Sequence, residues 1–352
     1  MLQQLNRFRN IFLKILSTPI KLLPSQHLSE KYMNKNTSRS FIGKYHLYSG
    51  EKVHWMPLIF RLLKAIIPNI LSWVIFCGAY GFFISLLYYI NCPVALPDES
   101  GFVTQAVLSF NIGLTLLLVF RTNTAHERFW EGRQLWGALV NASRNLARDI
   151  WIVVKEKDRK DREEKEAILR LIIAFPVAMK LHLRSEPVNQ QLASLMPETQ
   201  YLRIRDTQHP ALQIAFWISD YLQHQNDINR LNIYQLTGLH KLVDELVDIL
   251  GGCERILKTP LPLIYTILLR KLVLVYCLVL PFEIVSDLQW WTGVLTAFVS
   301  FTLLSIEQIG SEIEEPFGHD PNDLPLDVIC TTIRRNIEEL IALAPISTRS
   351  QR

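Results

Sequence analysis

The sequence predicts an all-helical membrane protein with four transmembrane helices and a large cytoplasmic helical region. Of its 352 residues, 49% are hydrophobic, and these residues are concentrated in four blocks instead of being spread evenly. Each block is about as long as the roughly 20 apolar residues that a helix needs to cross a bilayer. Between the second and third blocks the apolar residues recur at the spacing of amphipathic helices, and no strand-like alternation of useful length is present.

The first part of the chain, residues 1–60, is predicted to be a cytoplasmic arm. It is rich in Lys and Arg and mildly amphipathic. It has no compact apolar core followed by a small-residue cleavage site, which a secretory signal would show. A helix lying in the membrane interface is predicted over about 2–16.

The four candidate spans pair into two regions, 61–120 and 259–310. The first span ends in two tyrosines and the last begins with two tryptophans, residues that favour the membrane–water interface. Arg270 and Lys271 interrupt the third span. The spans cover residues 66–90, 101–120, 261–285 and 290–309.

The short linkers predict the orientation. The linkers at 91–100 and 283–289 contain no Lys or Arg, whereas the N-terminal arm and the region between spans 2 and 3 contain many. Because positively charged loops stay on the cytoplasmic side, both termini and the central region are predicted to be cytoplasmic. A plasma membrane is the expected location, with an organellar membrane as the alternative.

The central region, residues 121–258, is predicted to fold as cytoplasmic helices. A charged run at 155–167 is typical of a solvated surface. A buried helix broken near Pro176 follows it, and further helices are predicted over 210–223 and over 228–250, the last ended by two glycines. Apolar residues at three- and four-residue steps predict a core-facing stripe before the charged run: Leu135, Leu139, Ala142, Leu146 and Ile150.

Motifs of catalysis and of metal binding are missing from the sequence. It contains no dinucleotide or phosphate loop, no H-E-x-x-H and no nucleophile elbow. The histidines, including His182, His209 and His224, lack ligand spacing, and the five cysteines fit neither a zinc ribbon nor a disulfide framework. A net charge of only +4 does not indicate nucleic acid as a partner. These absences predict that the chain is not an enzyme and favour transport or conduction.

The second span carries a polar and an apolar stripe. Asn111 and Thr115 share one face, and polar side chains at membrane depth usually face protein or water. Ordinary helix packing, helped by Gly113 and Thr115, is one explanation. The other is a pore-lining helix with a hydrophobic gate. This helix runs without a proline into a charged segment, and every fourth residue before that segment is large and apolar: Ile112, Leu116 and Phe120.

An acidic turn follows the last span, within the C-terminal region 311–352. Carboxylates and carbonyls in a tight turn suit a hard cation such as Ca²⁺, although the spacing is not that of an EF-hand. The alternative is that these carboxylates pair with Arg128, Arg133 or Arg144. A helix and a tail complete the region. The turn contains Glu307, Glu312, Glu314, Glu315, Asp320, Asp323 and Asp327.

Four segments resemble the prokaryotic branch of the bestrophin family. They are FRTNTAHERFWEGRQLWG (120–137), NASRNLARD (141–149), PLIYTILLRKLVLVYCLVLPF (262–282) and IEEPFGHDPNDLPLD (313–327). The first and last are highly specific, and the resemblance covers about 40–340. It implies a homopentameric ion channel in the membrane, with one central pore.

The resemblance also implies particular sites. The neck of the pore would be lined by Ile112, Leu116 and Phe120. A second, cytoplasmic aperture would lie at Ala211 and Leu212. Animal members carry a calcium clasp, and its positions correspond here to Glu312, Glu315, Asp320 and Asp323, with the acidic run broken by His319, Pro321 and Asn322.

Three functions remain open at this point. Animal and plant members resemble chloride channels, and weakly hydrated anions tolerate an apolar neck, which favours chloride. Some bacterial members favour monovalent cations, and the acidic outer linkers would concentrate cations. A non-conducting, membrane-anchored scaffold is the rival from another class. A coupled transporter is disfavoured because the chain shows no internal repeat.

Overall fold

The computed structural model describes residues 55–96, 101–320 and 322–343, and the interfacial helix predicted at 2–16 lies outside them. This part of the chain forms ten α-helices and a short 3₁₀ turn, Gln289–Trp291, without a strand. The all-helical prediction is therefore confirmed. In chain order the helices are α1 (Trp55–Tyr89), α2 (Phe102–Val153), α3 (Arg159–Leu183), α4 (Gln190–Ala193), α5 (Glu198–Arg205), α6 (Pro210–Asp227), α7 (Ile233–Lys258), α8 (Leu263–Leu288), α9 (Thr292–Glu314) and α10 (Leu326–Leu343).

Helices α1, α8, α9 and the first part of α2 pack together as one apolar bundle. Two segments of the described chain are long and apolar enough to cross a membrane, Ile70–Tyr89 and α2. Helices α1 and α9 approach closely because small residues meet there: a Cβ on Gly81 would lie 2.9 Å from the Cα of Gly293. Small residues at such crossings are typical of helix packing in membranes.

Helix α2 is the longest element, with 52 residues and no break. At 1.5 Å per residue it is about 78 Å long. It crosses the apolar bundle and then enters a second core, as its change from apolar to charged residues predicts.

The second core lies among α2, α3, α6, α7 and α10. The predicted stripe on α2 is confirmed, since Leu139, Ala142, Leu146 and Ile150 are at most 1% exposed. Leu135 is only partly buried and packs at the edge of this core.

The predicted break of α3 at Pro176 is wrong. The helix runs from Arg159 to Leu183 through the proline, and every residue of 171–181 is buried. Proline removes one backbone hydrogen bond from a helix. Packing on all faces of α3 outweighs that loss.

The predicted end of a helix at Gly251–Gly252 is also wrong. Helix α7 begins at a capping box, in which the side chains of Asn232 and Gln235 bond each other's backbone N–H. It then continues through both glycines to Lys258. Gly252 serves close packing instead, because a Cβ there would lie 3.0 Å from the side chain of Leu135.

The charged run at 155–167 is not solvated throughout. Asp161 is 8% exposed, and it accepts hydrogen bonds from the backbone N–H of Lys157 and Asp158 and pairs with Arg230 at 2.6 Å. Lys165, 2% exposed, donates to the carbonyls of Trp151 and Val154 and to the carboxylate of Glu156. Both charges are buried because each finds specific partners, which sequence spacing does not reveal.

Candidate functional site

One face of α2 presents large apolar side chains that no other part of the described chain covers. Ile112, Leu116 and Phe120 are 63%, 52% and 54% exposed. Leu114 and Leu118, on the opposite face, are 2% and 3% exposed and pack into the apolar bundle. The three predicted neck residues therefore form one accessible stripe on α2. The opposite face of this helix is packed into the apolar bundle, which holds the helix in place.

Of the polar residues in the same span, Asn111 contacts another helix, whereas Thr115 is exposed and hydrogen-bonds to Asn111 within the same helix. The amide of Asn111 donates to the hydroxyl of Tyr276 on α8 at 2.5 Å, and the hydroxyl of Thr115 donates to the Asn111 side-chain oxygen at 3.2 Å. Asn111 thus holds α2 against α8, as the packing explanation requires. A Cβ on Gly113 would meet no atom of the described residues within 4 Å, so this glycine makes no close approach among them.

A buried ion pair marks the end of the stripe. Arg121 follows Phe120 directly and is 1% exposed. Its Nη1 donates to Oε1 of Glu307 at 2.9 Å and to the Glu307 carbonyl at 3.3 Å. Nη2 lies 3.8 Å from Glu314. Two charges that would be costly in an apolar setting are held together here by direct contact.

Arg128, two turns further on, joins two helix ends. Its guanidinium donates to the carbonyls of Ile256 (2.7 Å) and Thr259 at the end of α7, and to that of Glu314 (3.1 Å) at the end of α9. These carbonyls lack partners within their own helices, and the negative end of the helix dipole favours a cation. Arg128 therefore reaches the acidic segment through the backbone and not through a carboxylate.

The acidic turn uses its carboxylates in several separate contacts. Glu307 pairs with Arg121, so Arg121 takes the place proposed for Arg128, Arg133 or Arg144. Asp327 pairs with Lys180 at 2.6 Å and with Arg184 at 3.0 Å. Burial would raise the pKa of Asp327, but these two cations outweigh it and lower the pKa.

The four positions of the calcium clasp do not form one ligand set in the described chain. Glu312 accepts from Asn322 at 2.8 Å and from Gln308 at 3.3 Å. Asp323 accepts from the N–H of Asp320 at 2.7 Å, and burial raises its pKa to about 6. Glu315 adds to the negative potential there. A Ca²⁺ ion needs six to eight convergent oxygens, and the calcium clasp stays a prediction.

Of the two predicted aperture residues, one is accessible. Pro210 starts α6, Ala211 is 1% exposed within its own subunit, and Leu212 is 47% exposed. Phe216, one turn on, is 61% exposed. Leu212 is therefore the one of the pair that is free to line an opening.

Among the described residues, one group of three possible metal ligands converges, and sequence spacing gave no sign of it. His182, His209 and Glu254 each bring one ligand atom within 4.8 Å of the other two. Burial would raise the pKa of Glu254, but Lys258 and His182 together lower it. Sequence spacing does not single out Arg121 either, and its position straight after the apolar run is the one signal in the sequence that draws attention to it.

Comparisons with known proteins agree with this arrangement. Residues 48–339 match the family described as Bacterial/Fungal Bestrophin protein. A voltage-dependent anion channel-forming protein of Nostoc sp. is 51% identical over 84% of this chain and 94% of its own length. A protein of Escherichia coli with the same description is 29% identical over 82% of this chain and 91% of its own. The crystal structure of a bacterial Bestrophin homolog from Klebsiella pneumoniae superposes with a TM-score of 0.69 at 28% identity, covering 82% of this chain and all of that one.

The fold and the exposed stripe on α2 thus belong to a class of membrane proteins that conduct ions and carry out no catalysis. Within that class, the chain belongs to the bestrophin family, in its bacterial and fungal branch. The predictions of a bestrophin-family ion-channel protein and of a non-enzyme are confirmed.

Proposed function

We propose that this chain forms a passive anion channel, permeable to chloride, as a homopentamer around one central pore. The observation that carries the proposal is the stripe of half-exposed apolar side chains on α2, a helix whose opposite face is buried. The description of its relatives as anion channel-forming proteins supports the choice of ion.

The neck of this pore consists of three apolar rings, formed by Ile112, Leu116 and Phe120 of each subunit. A narrow apolar passage empties of water readily and so acts as a gate. Neutralisation of Arg121 by Glu307 supports a neck without a fixed charge at its inner end. Selectivity then depends on how easily an ion sheds water and on the charges of the vestibules.

The topology that fits this pore has four spans, formed by α1, the first part of α2, α8 and α9. Apolar residues remain exposed on the outer faces of α8 and α9, among them Ile264, Val275 and Phe298, which suits contact with lipid or with another subunit. The four spans cross a plasma membrane, and both termini and the second core lie on its cytoplasmic side. Leu212, with Phe216 one turn further on, forms the cytoplasmic aperture.

The test is ion flux and reversal potential in liposomes that contain the purified protein, with unequal KCl on the two sides. We expect a reversal potential near that of chloride. Simultaneous replacement of Ile112, Leu116 and Phe120 by Ala is expected to raise conductance by widening the neck. Leu117→Ala, on the same helix but off the stripe and packed against the apolar bundle, is the matched control. Unchanged currents in the triple variant would disprove the neck.

Monovalent cation selectivity is the second candidate. Glu283 and the exposed Asp287 lie near the outer end of α8, where negative charge would attract cations. A reversal potential near that of potassium would establish it. A well-formed oligomer without any flux would instead favour the scaffold.

A further inference from the structure

A second set of chemically capable side chains lies in the cytoplasmic core, away from the stripe on α2. His182 comes one residue before the end of α3, His209 is the N-cap of α6, and Glu254 is in the last two turns of α7. The three residues thus belong to three different helices, and the fold brings them together. Their side chains are 20%, 44% and 18% exposed.

Both imidazoles approach the same carboxylate oxygen. His182 Nε2 lies 2.9 Å and His209 Nδ1 lies 3.6 Å from Oε1 of Glu254. In a tetrahedral zinc site with metal–ligand distances of about 2.0–2.1 Å, neighbouring ligand atoms are about 3.3 Å apart. The two observed distances lie on either side of this value, and the third, between the ligand nitrogens of the two histidines, is at most 4.8 Å.

An open cavity adjoins the cluster on the side of His182. His182 also lines an open cavity of about 280 Å³, which Arg205, Thr207 and Pro210 line as well. Zinc sites with three protein ligands usually hold a solvent molecule in the remaining position. The ring centroids of the two histidines are 5.0 Å apart and the rings are inclined at 49°, so they do not stack face to face.

We propose that His182, His209 and Glu254 bind one Zn²⁺ ion per subunit. Two neutral imidazoles and one carboxylate are ligands that this ion prefers. The other oxygen of Glu254, Oε2, accepts from Lys258 at 2.7 Å. Lys258 orients the carboxylate but also places a cation near the metal, and it is exposed enough to move away.

The site would hold the start of α6 in place. His209 directly precedes Pro210, and the accessible aperture residue Leu212 is on the first turn of the same helix. A bound ion would therefore fasten the beginning of α6 to the ends of α3 and α7. This consequence for conduction rests on the proposed function, whereas metal binding itself does not.

The binding test uses the full-length protein in detergent, purified with a tag that contains no histidine. After treatment with chelator and dialysis against Zn²⁺, bound metal is measured by mass spectrometry, and Co²⁺ replaces Zn²⁺ to report tetrahedral coordination by visible absorption. We expect one ion per subunit. His182→Ala and His209→Ala should lower affinity by more than the roughly 10- to 100-fold that loss of an outer-shell partner costs.

Two matched variants make the test specific. His224→Ala removes an exposed histidine of α6 outside the cluster and should bind as the parent does. Lys258→Met removes the competing cation and should tighten binding by roughly two- to fivefold, the size of an exposed ion pair. Circular dichroism of each variant verifies that it is folded, and His182→Gln and His209→Gln replace any alanine variant that is not.

Absence of stoichiometric metal in the parent, or equal loss in His224→Ala, would overturn the site and leave the three residues as an ion-pair cluster. Flux measurements then separate the two proposals. Zn²⁺ should change flux in the parent but not in His209→Ala. Tetrahedral Co²⁺ absorption in a protein without flux would retain the metal site and refute the channel.

Discussion

The two parts of α2, before and after Arg121, belong to one continuous helix but expose opposite kinds of side chain. Before Arg121 the helix exposes large apolar residues such as Leu116 and buries few. After Arg121 it buries Trp136, Leu139 and Leu146 and exposes polar residues. Apolar exposure is costly in water but not against lipid or a second apolar surface. The surroundings of the helix therefore change at Arg121, while its backbone conformation does not.

Removing the ion pair between Arg121 and Glu307, at the boundary between the two parts, should have the largest effect on stability. Arg121→Ala leaves Glu307 buried without its cation, which is expected to lower the unfolding free energy by about 3–5 kcal/mol. Thermal unfolding in detergent measures the loss. Arg159→Ala serves as control, because its pair with Glu163 is exposed and contributes at most about 0.5 kcal/mol. Replacing both Arg121 and Glu307 by Met should recover much of the loss; no recovery would argue against an ion pair as the cause.

Two leucines on α2 compare its two parts directly. Leu146→Ala opens a cavity in the fully buried core and should cost about 2–5 kcal/mol. Leu116→Ala removes the same atoms from an exposed position, so we expect less than about 1 kcal/mol, together with altered conduction. Unfolding curves and liposome currents on both variants test this. Equal destabilisation would indicate that Leu116 is packed as tightly as Leu146.

Two glycine-to-alanine variants test the packing of the apolar bundle alone. Gly81→Ala places a Cβ 2.9 Å from the backbone of Gly293, so overpacking should cost about 1–3 kcal/mol. Gly113→Ala meets no atom within 4 Å in the subunit and should be neutral or slightly stabilising, because Ala favours helix. Unfolding temperatures distinguish them. A destabilised Gly113→Ala variant would place this glycine against a neighbouring subunit.

The smallest expected effect concerns the dependence of stability on pH, through Asp327 at the start of α10. Lys180 and Arg184 lower the pKa of Asp327, so this contribution to stability is present above the unfolded-state pKa of about 4 and is lost as pH falls through the lower folded-state value. Asp327 is 62% exposed, which limits the contribution to about 0.5–1 kcal/mol. Asp327→Asn should therefore unfold more easily than the parent at pH 7. At pH 3 the difference should shrink, and a constant difference would refute the assignment.

Local sequence patterns predicted the helices well where the spacing and type of the residues within one segment determine the structure. The α2 stripe and the continuity of α2 follow from apolar spacing and from the lack of a helix breaker. Pro176 and the glycines at 251–252 misled the prediction because each has a tertiary role that outweighs its intrinsic preference. Gly252, for example, makes room for Leu135.

The sites were predictable only where they lie on one helix. Ile112, Leu116 and Phe120 are one turn apart, so their common face is visible in the sequence. Arg121 and Glu307, or His182, His209 and Glu254, come from distant segments, and only the packing of α3, α6, α7 and α9 brings them together. The role of each of these residues depends on neighbours that are distant in the sequence, and residue spacing does not reveal those neighbours.

The length of α2 has a mechanical consequence. With Arg121 fixed to α9 as a fulcrum, the helix is a lever with an arm of about 28 Å toward Phe102 and an arm of about 48 Å toward Val153. A rigid tilt of about 3° would displace the Val153 end by about 2.5 Å and the Phe102 end by about 1.5 Å. Phe120, beside the fulcrum, would hardly move, whereas Ile112, two turns away, would move further. In the proposed neck, a tilt driven from the second core would therefore displace the ring of Ile112 most and the ring of Phe120 least.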